Sequence, residues 1–513
     1  MAQSVLDAEC TVEELIWTSP DSELKKVLDN ALDLVRRTPE ILTRIEADQD
    51  AVGKTKKKLR LADQRWEESQ IPDFPELTWE TGLELAVEDL TLATGRPRMS
   101  AEVAFVFLIL QGYLGSVTDR RARDQLLESR TLHRYLQSRN LCLPGWNTIL
   151  ENVNAISVES RSFILDAQLA LIREDGLDDF SKVILDSTGV EANSAWPTDG
   201  RLLLGLLRRA FGASQKLETF GVANIPKHWM CWWLKKLEKL LFCINTATGR
   251  PNSKKKRRKY YRQFLGHVRK MLEYLLPECA QRDPVQEATW LPPSQRLLLD
   301  RLWHQLLEDV TCACAVYDYT EERIFQDKQR PSRDKMLSLA DPSAAYIEKG
   351  GRQAVIGYKP QLGRSGNGFV AALIVPEGNA ADSTQLIPLV DQMHQRTGVW
   401  PQHVSCDDGY ADRGDRDELI ADGIELVSFS GPRGKSLIPE AEWNSPDYEQ
   451  ARRGRSAVES LLFVLKHVFQ FGRLRRRGLE AVRAELLAKV IAYNFCRMVL
   501  LQARKERPYQ QAA

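Results

Sequence analysis

Three carboxylates on well-separated stretches of this 513-residue chain have the type and setting for metal-dependent phosphoryl chemistry. Asp186 ends the short apolar run Val183-Ile184-Leu185, Asp407 ends a second run of β type, and Glu459 lies on a segment of helical periodicity. Ligand sites in open α/β sheets gather at the carboxyl ends of strands, so a sheet would bring the first two acids together. Carboxylates drawn from separate elements make a hard-oxygen site. Such a site suits Mg²⁺ or Mn²⁺, which keep several waters and accept phosphate oxygens. Two ions about 3.5–4 Å apart would activate an attacking oxygen and stabilise a leaving one. Single acids at strand ends are also ordinary turn and cap residues, so the weight rests on the set.

The helix around Glu459 adds to it. Arg452, Arg455, Glu459 and Lys466 recur at steps of three, four and seven and share a helical face. Val458, Leu461, Leu462, Leu465, Val468 and Phe469 fall on the neighbouring face and are expected to bury against the sheet. A carboxylate at the core's rim between cations suits a metal ligand beside phosphate-binding Arg and Lys. A plain surface Arg–Glu pair is the competing explanation.

Two further basic clusters stand out. One is Lys254, Lys255, Lys256, Arg257, Arg258 and Lys259, followed by Tyr260 and Tyr261; the other is Arg473-Leu474-Arg475-Arg476-Arg477. Each neutralised phosphate adds salt-dependent affinity for nucleic acid, and flanking aromatics can stack on unpaired bases. A solvated helix face accounts for either run equally well. Trp196 and the group Trp229, Trp232 and Trp233 read as core before they read as a base cradle. The seven histidines show no metal spacing, and His467 has a surface or packing role. The phosphate loop G-x4-G-K-[ST] is absent, which gives an ATP-driven reaction no support.

The elements that must position these residues follow from periodicity. Residues 1–70 read as helical and polar, with a second helical stretch ending in Lys54–Arg60, and Ile71-Pro-Asp-Phe-Pro75 as a linker. Residues 76–180 read as a helical bundle through Val103–Leu114 and Ile149–Leu169. Ser116–Asp119 offers cap chemistry there, and Leu143–Trp146 forms a turn before a new helix. A helix-turn-helix in a DNA groove and a plain structural bundle both fit that pattern. Beyond β-type Lys182–Asp186 comes a long helical insert. Strands Gln353–Lys359 and Gly368–Val375 follow, bracketing the loop Pro360–Asn367 as a hairpin. Then come a helix at about 383–397, a strand ending at Asp407, a helix at about 412–421, the strand Ile424–Ser428, and helix from about 447. Without the insert this is a mixed α/β sheet with helices packed on it.

Composition sets outer bounds. Lys and Arg number 71 against 70 Asp and Glu, so the net charge points to no partner and only the clustering informs. Nine cysteines without a CxxC pair read as buried reduced thiols in a reducing compartment. The N-terminus has no signal-peptide pattern, and the most apolar stretch, Val103–Leu110, is too short to cross a bilayer. The expectation is a cytoplasmic protein that engages no membrane.

From about residue 180 to 500 the chain resembles the catalytic region of bacterial insertion-sequence transposases of the DDE type. Leu185-Asp186-Ser187-Thr188 resembles the family's first-strand motif, and Ser405-Cys406-Asp407-Asp408-Gly409-Tyr410 its D-x-G-Y motif. Arg455-x3-Glu459-x6-Lys466 matches the spacing of Y-x2-R-x3-E-x6-K, with Arg452 at the tyrosine position and Tyr448 one turn earlier. Smaller matches are Ala340-Asp341-Pro342, Lys349-Gly350, Gly357-Tyr358-Lys359, Gly378-Asn379-x2-Asp382 and Ala492-Tyr493-Asn494. Their order over some three hundred residues carries more than any one of them. The D-x-G-Y register favours Asp407, whereas a one-residue strand slip would turn Asp408 inward.

The resemblance implies a ribonuclease-H-like mixed sheet with a large helical insertion at about 195–335, preceded by an all-helical N-terminal region. The expected division is a helical segment 1–75, a helical DNA-binding domain 76–180 and a catalytic domain 181–513. It implies an endonuclease and strand transferase that frees a 3′-hydroxyl at the element's end and joins it to target DNA. Asp186, Asp407 and Glu459 would hold two Mg²⁺ or Mn²⁺ ions, and Arg455 and Lys466 would touch the phosphates of the transferred strand. The implied partner is double-stranded DNA, both terminal inverted repeats and target, with a dimer at synapsis. A repurposed DNA-binding relative and another nuclease on the same fold, such as a ribonuclease H or a junction resolvase, are the competing readings.

Overall fold

A computed structural model describes residues 23–69, 99–114, 128–194, 198–222, 226–247, 252–280, 284–348 and 354–510. The expected linker Ile71–Pro75, the cap residues Ser116–Asp119, Trp196, and Lys349-Gly350 lie outside these residues. The chain forms two compact units. One holds Met1–Asp50, Pro97–Asn193 and Ser343–Ala513; the other holds Ala51–Arg96 and Ser194–Pro342.

The first unit is built on a five-stranded mixed sheet. Its strands are β1 (Lys182–Ser187), β5 (Gln361–Ser365), β6 (Val370–Ile374), β7 (His403–Cys406) and β8 (Leu426–Phe429), in the order β6-β5-β1-β7-β8. β5 runs antiparallel to β1 and β6, whereas β7 runs parallel to β1 and β8. β1 therefore lies at the centre, and Val183, Ile184 and Leu185 are buried, as an interior strand with apolar residues on both faces must be. A small second sheet joins β2 (Val190–Glu191), β4 (Val355–Tyr358) and β3 (Ala345–Ile347) in the order β2-β4-β3. The mixed sheet, its strand order and the helices around it are those of a ribonuclease-H-like domain.

Helices before β1 are α1 (Glu23–Arg37), α2 (Glu40–Ser69), α3 (Ala101–Tyr113), α4 (Arg130–Gln137), α5 (Trp146–Ala155) and α6 (Val158–Glu174). Lys54–Arg60 does not end α2, which continues to Ser69. After β6 come α12 (Leu386–Thr397), α13 (Arg413–Ala421), α14 (Pro432–Leu437), α15 (Glu440–Trp443), α16 (Pro446–Gly454), α17 (Ala457–His467) and α18 (Leu479–Gln510). α12 packs on β5 and β6, α16 on β7 and β8, and α17 on β1. The long α18 runs against α1, α3 and α6. It comes close to α3 at Gly112, where a Cβ would lie 2.3 Å from the Ala488 carbonyl oxygen. Apolar α3 is a core helix, with Val103 to Leu110 all buried.

The hairpin differs from the sequence expectation. Residues 361–365, read as loop, are the strand β5, and the turn is confined to Gly366–Gly368 between β5 and β6. The earlier strand, Val355–Tyr358, belongs to the small sheet instead. The polar residues of β5 tolerate the sheet interior because each finds a partner. Gln361 donates to Asp382 at 2.9 Å, and the Ser365 hydroxyl donates to Asp178 at 2.6 Å. Gly363 leaves room for its neighbour, since a Cβ there would lie 3.0 Å from the Ala372 methyl.

α18 grips this hairpin. Tyr493 donates to the Gly368 carbonyl at 2.7 Å. The fully buried Asn494 accepts from the Val370 N–H at 2.9 Å and donates to the Val370 carbonyl at 3.0 Å, next to the register shift at Gly363/Arg364. Arg497 donates to the Asn367 carbonyl at 2.8 Å.

The second unit is a helical bundle of α7 (Asp199–Glu218), α8 (Lys227–Thr246), α9 (Ser253–Cys279), the short α10 (Pro284–Glu287) and α11 (Pro293–Phe325). Leu203, Leu206, Leu237, Phe264, Leu299 and Leu306 are among its fully buried residues. Asp309 is buried beside Arg209 at 3.1 Å; burial outweighs that partner and pushes its carboxyl up to about 6.

Among the described residues no helix is long and apolar enough to cross a membrane. The thiols are free, as expected, but only Cys406 and Cys496 are buried; Cys142 and Cys231 are exposed, and Cys10 lies outside the described residues.

Replacing Asn494 with Ala leaves a buried N–H and a buried carbonyl of Val370 without their partner. The variant should lose about 1–3 kcal/mol of unfolding free energy in a urea titration; an unchanged midpoint would show that Asn494 does not hold the hairpin.

Candidate active site

The parallel register of β1 and β7 sets the site. Leu185 pairs with Cys406, so the next residues, Asp186 and Asp407, leave adjacent strands at the same edge. Asp186 is 6% exposed, and one of its oxygens accepts from the Ser187 N–H at 2.7 Å. Asp407 caps a short 3-10 turn, Asp408–Tyr410, by accepting from the Gly409 N–H at 2.9 Å. Asp408 turns the other way. It accepts from the Gly434 N–H at 2.8 Å, on α14, and a Cβ on Gly431 would sit 2.7 Å from its carboxyl carbon.

A fourth acid, Asp382, joins this edge. A Cβ on Gly409 would lie 3.0 Å from an Asp382 oxygen and 3.1 Å from an Asp407 oxygen, so any larger residue would press on both carboxylates. Lys359 pairs with Asp382 at 2.8 Å, and Gln361 donates to the same oxygen at 2.9 Å. Burial alone would raise the Asp382 carboxyl. Hydrogen bonds from Lys359 and Gln361, the Lys359 charge and a hydrogen bond to Ser187 hold it below its ordinary value. Tyr410, fully buried, donates its hydroxyl to Gln361. Burial, then the charges of Asp382, Asp186 and Asp407, push that hydroxyl well above its ordinary range, so it stays protonated as a donor. Burial, Asp407 and Asp186 likewise raise the Cys406 thiol, with Arg455 opposing them. The sequence offered Lys359 and Asp382 only as letters of separate motifs, and nothing in their spacing says that they pair.

Glu459 is placed differently from the first two acids. It lies in the first turn of α17 with a side chain 67% exposed, and Arg455 reaches it at 3.3 Å. The same guanidinium stands 3.7 Å from the second Asp186 oxygen, so one cation serves both carboxylates. The expected single helix is broken at Arg455–Ser456, between α16 and α17. Val458, Leu461, Leu465 and Phe469 are buried as expected, Leu462 is half-buried, and Val468 is 59% exposed where burial was expected. The helix ends at His467, so the periodicity no longer applies to Val468.

The remaining candidates divide. Arg452 lies over the Trp443 ring at 4.0 Å and donates to the Trp443 carbonyl at 3.2 Å, beside Tyr448. Tyr448 is fully buried and its hydroxyl both accepts from and donates to the backbone of Phe429, which ties α16 to β8. The Lys466 stem lies along Gly472. In the first turns of α9, Lys254, Lys255, Lys256 and Lys259 are exposed. Arg257 and Arg258 instead donate to carbonyls of Ala247, Ile324 and Phe325. Tyr261 is buried, which removes it as a stacking platform. Of the tryptophans expected in the core, Trp233 is buried, but Trp229 and Trp232 are 53% and 42% exposed on α8. His467 packs on Phe463 at the surface.

The donor chemistry of Asp186 and Asp407 suits a hard divalent cation. Glu459 is not gathered with them, because Arg455 stands between. Accordingly, among the described residues no group of three His, Cys, Asp or Glu has a metal-holding arrangement.

Residues 328–495 match the family model of the transposase DDE domain. That stretch includes Asp382, Asp407, Arg455, Glu459 and Lys466, while Asp186 and the lysines of α9 precede it. Members of this family generally use divalent metal ions. No curated protein and no solved structure gives a significant match.

The depressed Asp382 carboxyl fixes the sign of one pH dependence. Its ionised form contributes stability that is complete above the unfolded carboxyl pKa of about 3.9 and is lost as pH falls through the lower folded value. Asp382→Asn should therefore be less stable than wild type at pH 7 by about 1–3 kcal/mol. The difference should shrink on acidification below about pH 4. Denaturant titrations from pH 3 to 7 read both; a difference that stays constant with pH would remove the ion pair as its source.

Proposed function

We propose that this chain, as a member of the transposase DDE family through residues 328–495, is a DNA transposase that cleaves the ends of its mobile element and joins the freed 3′-hydroxyl to target DNA. The observation that carries this reading is the β1–β7 register, which sets Asp186 and Asp407 side by side at a sheet edge with Arg455 and Glu459 over it. Asp407, rather than Asp408, is the ligand, because Asp408 is committed to α14. Asp186, Asp407 and Glu459 together hold two Mg²⁺ or Mn²⁺ ions, which when bound neutralise phosphate charge and favour the ionised form of the attacking oxygen.

The residues around them position DNA. Without DNA, Arg455 balances Asp186 and Glu459. A backbone phosphate offers the guanidinium a bidentate partner, and the turn at Arg455–Ser456 lets the side chain take it. That exchange frees both carboxylates at the moment the substrate arrives, so the site is completed by its substrate. Lys466, at the far end of α17, neutralises a further phosphate of the same strand. The exposed Lys254, Lys255, Lys256 and Lys259 of the insertion contact backbone phosphates of their own, and residues 76–180 bind the terminal repeats. The energetic logic is positioning plus charge neutralisation, since phosphoryl transfer needs little covalent help from the protein. Two ends have to meet, which makes a dimer the working form at synapsis.

The test is cleavage of a labelled duplex carrying the flanks of the source gene, with Mg²⁺. Wild type should cut at a defined end. Asp186→Asn, Asp407→Asn and Glu459→Gln should each cut at least about 10²–10³-fold more slowly while still binding the duplex. Equal cutting by Glu459→Gln would remove Glu459 from the chemistry, and specific binding without cutting under any divalent metal would reduce the chain to a DNA-binding protein.

A further inference from the structure

Two helices of the second unit, α8 and α9, expose rings that its core does not take up. On α8, Trp229 and Trp232 stand edge to face with centroids 6.5 Å apart, and Trp229 also lies 6.2 Å from Trp233. On α9, His267 meets Trp232 at 5.8 Å and Tyr274 meets Trp233 at 5.4 Å. The rings form one string across both helices. Trp233 is its buried root, while 53% of Trp229, 42% of Trp232 and 45% of Tyr274 stay open to solvent. Single exposed aromatics are ordinary, but three joined through ring contacts make a surface.

Cations run through the same surface. Lys236 holds its ammonium 5.1 Å from the Trp232 centroid. Burial lowers the His267 imidazole, and the charges of Lys270 and Lys236 lower it further, which sets both lysines near that ring. Helical periodicity continues the face. Lys239 follows Lys236 on α8 by about one turn, and Lys256 and Lys259 precede His267 on α9 by about three turns and two. All five lysines are exposed, and among the described residues none is in an ion pair. Of the described acids on these helices, Glu238 is taken by Arg208 of α7, and the charge of Glu273 acts on Arg269.

An apolar partner would cover the rings but strand the lysines in a dry contact, which is costly. A duplex offers phosphates but hides its base faces in the stack. An unpaired strand offers both, bases to the rings and phosphates to the ammonium groups. We infer that the face of α8 and α9 around Trp229, Trp232 and Tyr274 is a platform for single-stranded DNA, on which bases stack while Lys236 and Lys270 hold the backbone. The 20 residues of α8 span about 30 Å, enough for a run of several nucleotides. The choice of DNA rests on the proposed transposase reading, but the carboxylate edge takes no part in the platform.

The experiment uses the full chain as wild type, Trp229→Ala, Trp232→Ala, Lys236→Gln, Lys270→Gln and, as a control at an exposed ring elsewhere, Trp290→Ala. Binding of a labelled oligothymidylate of about 20 nucleotides is read by anisotropy across a salt series, beside an abasic strand of the same length and polyglutamate. Wild type and Trp290→Ala should bind oligothymidylate more tightly than the abasic strand. Each tryptophan variant should bind it about fivefold or more weakly with an unchanged salt slope, since stacking releases no counterions. Each lysine variant should lower the slope by about 0.7. The lysine variants remove no ring, so they carry the test if a tryptophan variant does not fold. The inference is overturned if the abasic strand binds as tightly as oligothymidylate, or if polyglutamate does, which would assign the face to an acidic protein segment. It is equally overturned if all the proteins bind alike, if none binds, or if Trp290→Ala matches the tryptophan variants. Failure to cut an element's end with oligothymidylate binding intact would count against the proposed function and not against the platform.

Discussion

A carboxylate at the end of a buried strand has to be compensated, and Asp186 is compensated by Arg455 across a gap of 3.7 Å. Much of the first unit is arranged around that pair. β1 can carry an acid into the interior because β5 and β7 satisfy its backbone on both sides. The acid's remaining need is a cation rather than a hydrogen-bond ladder. Arg455 supplies it from a break between two helices, and the same side chain restrains Glu459 from α17. The resting site is thus closed by an internal cation in the place where carboxylates would otherwise repel. Lys359 serves Asp382 in the same way at the neighbouring position, and the two ion pairs let a dense group of acids persist at one sheet edge.

Much of this was legible in the sequence. The apolar runs at Val183–Leu185 and before Asp407, the helices at 383–397 and 412–421, and their alternation pointed to a mixed sheet and to the strand ends where Asp186 and Asp407 stand, because burial pattern and short connections constrain an α/β sheet. What periodicity missed has a common cause. β5 reads as a loop because Gln361, Gly363 and Ser365 carry no apolar signal, and their hydrogen bonds to Asp382 and Asp178 come from residues distant in the chain. The same reason hid the Lys359–Asp382 pair. The helix break at Arg455–Ser456 was invisible too, since both residues are tolerated in helices and the spacing of Arg452, Arg455, Glu459 and Lys466 holds whether or not the helix is continuous. Arg452 fell to a local competitor, the Trp443 ring, which takes the guanidinium expected to contact phosphate.

Two motif residues gained a physical role that spacing could not give. Tyr493 and Asn494 are held in α18 not for chemistry but to satisfy the hairpin next to its register irregularity, so the last helix fixes the strands that carry Gln361 and, through it, Asp382 and Tyr410. The site and the helical layer are coupled by hydrogen bonds to backbone, which are directional and intolerant of small changes in register. The basic insertion contributes differently: its lysines are exposed while its arginines cap neighbouring helices, so its charge is only partly available to a ligand.

The central claim is that Asp186 and Asp407, and not Asp408, form the hard-oxygen pair at the ends of β1 and β7. Binding of Mn²⁺ to the protein on a duplex carrying the element's end, over and above binding to the duplex alone, read by loss of the free-ion electron paramagnetic resonance signal, tests it without requiring catalysis. The account predicts that Asp186→Asn and Asp407→Asn abolish binding, whereas Asp408→Asn, whose amide oxygen still accepts from the Gly434 N–H, leaves binding intact. Retained binding in Asp407→Asn together with its loss in a folded Asp408→Asn would contradict it.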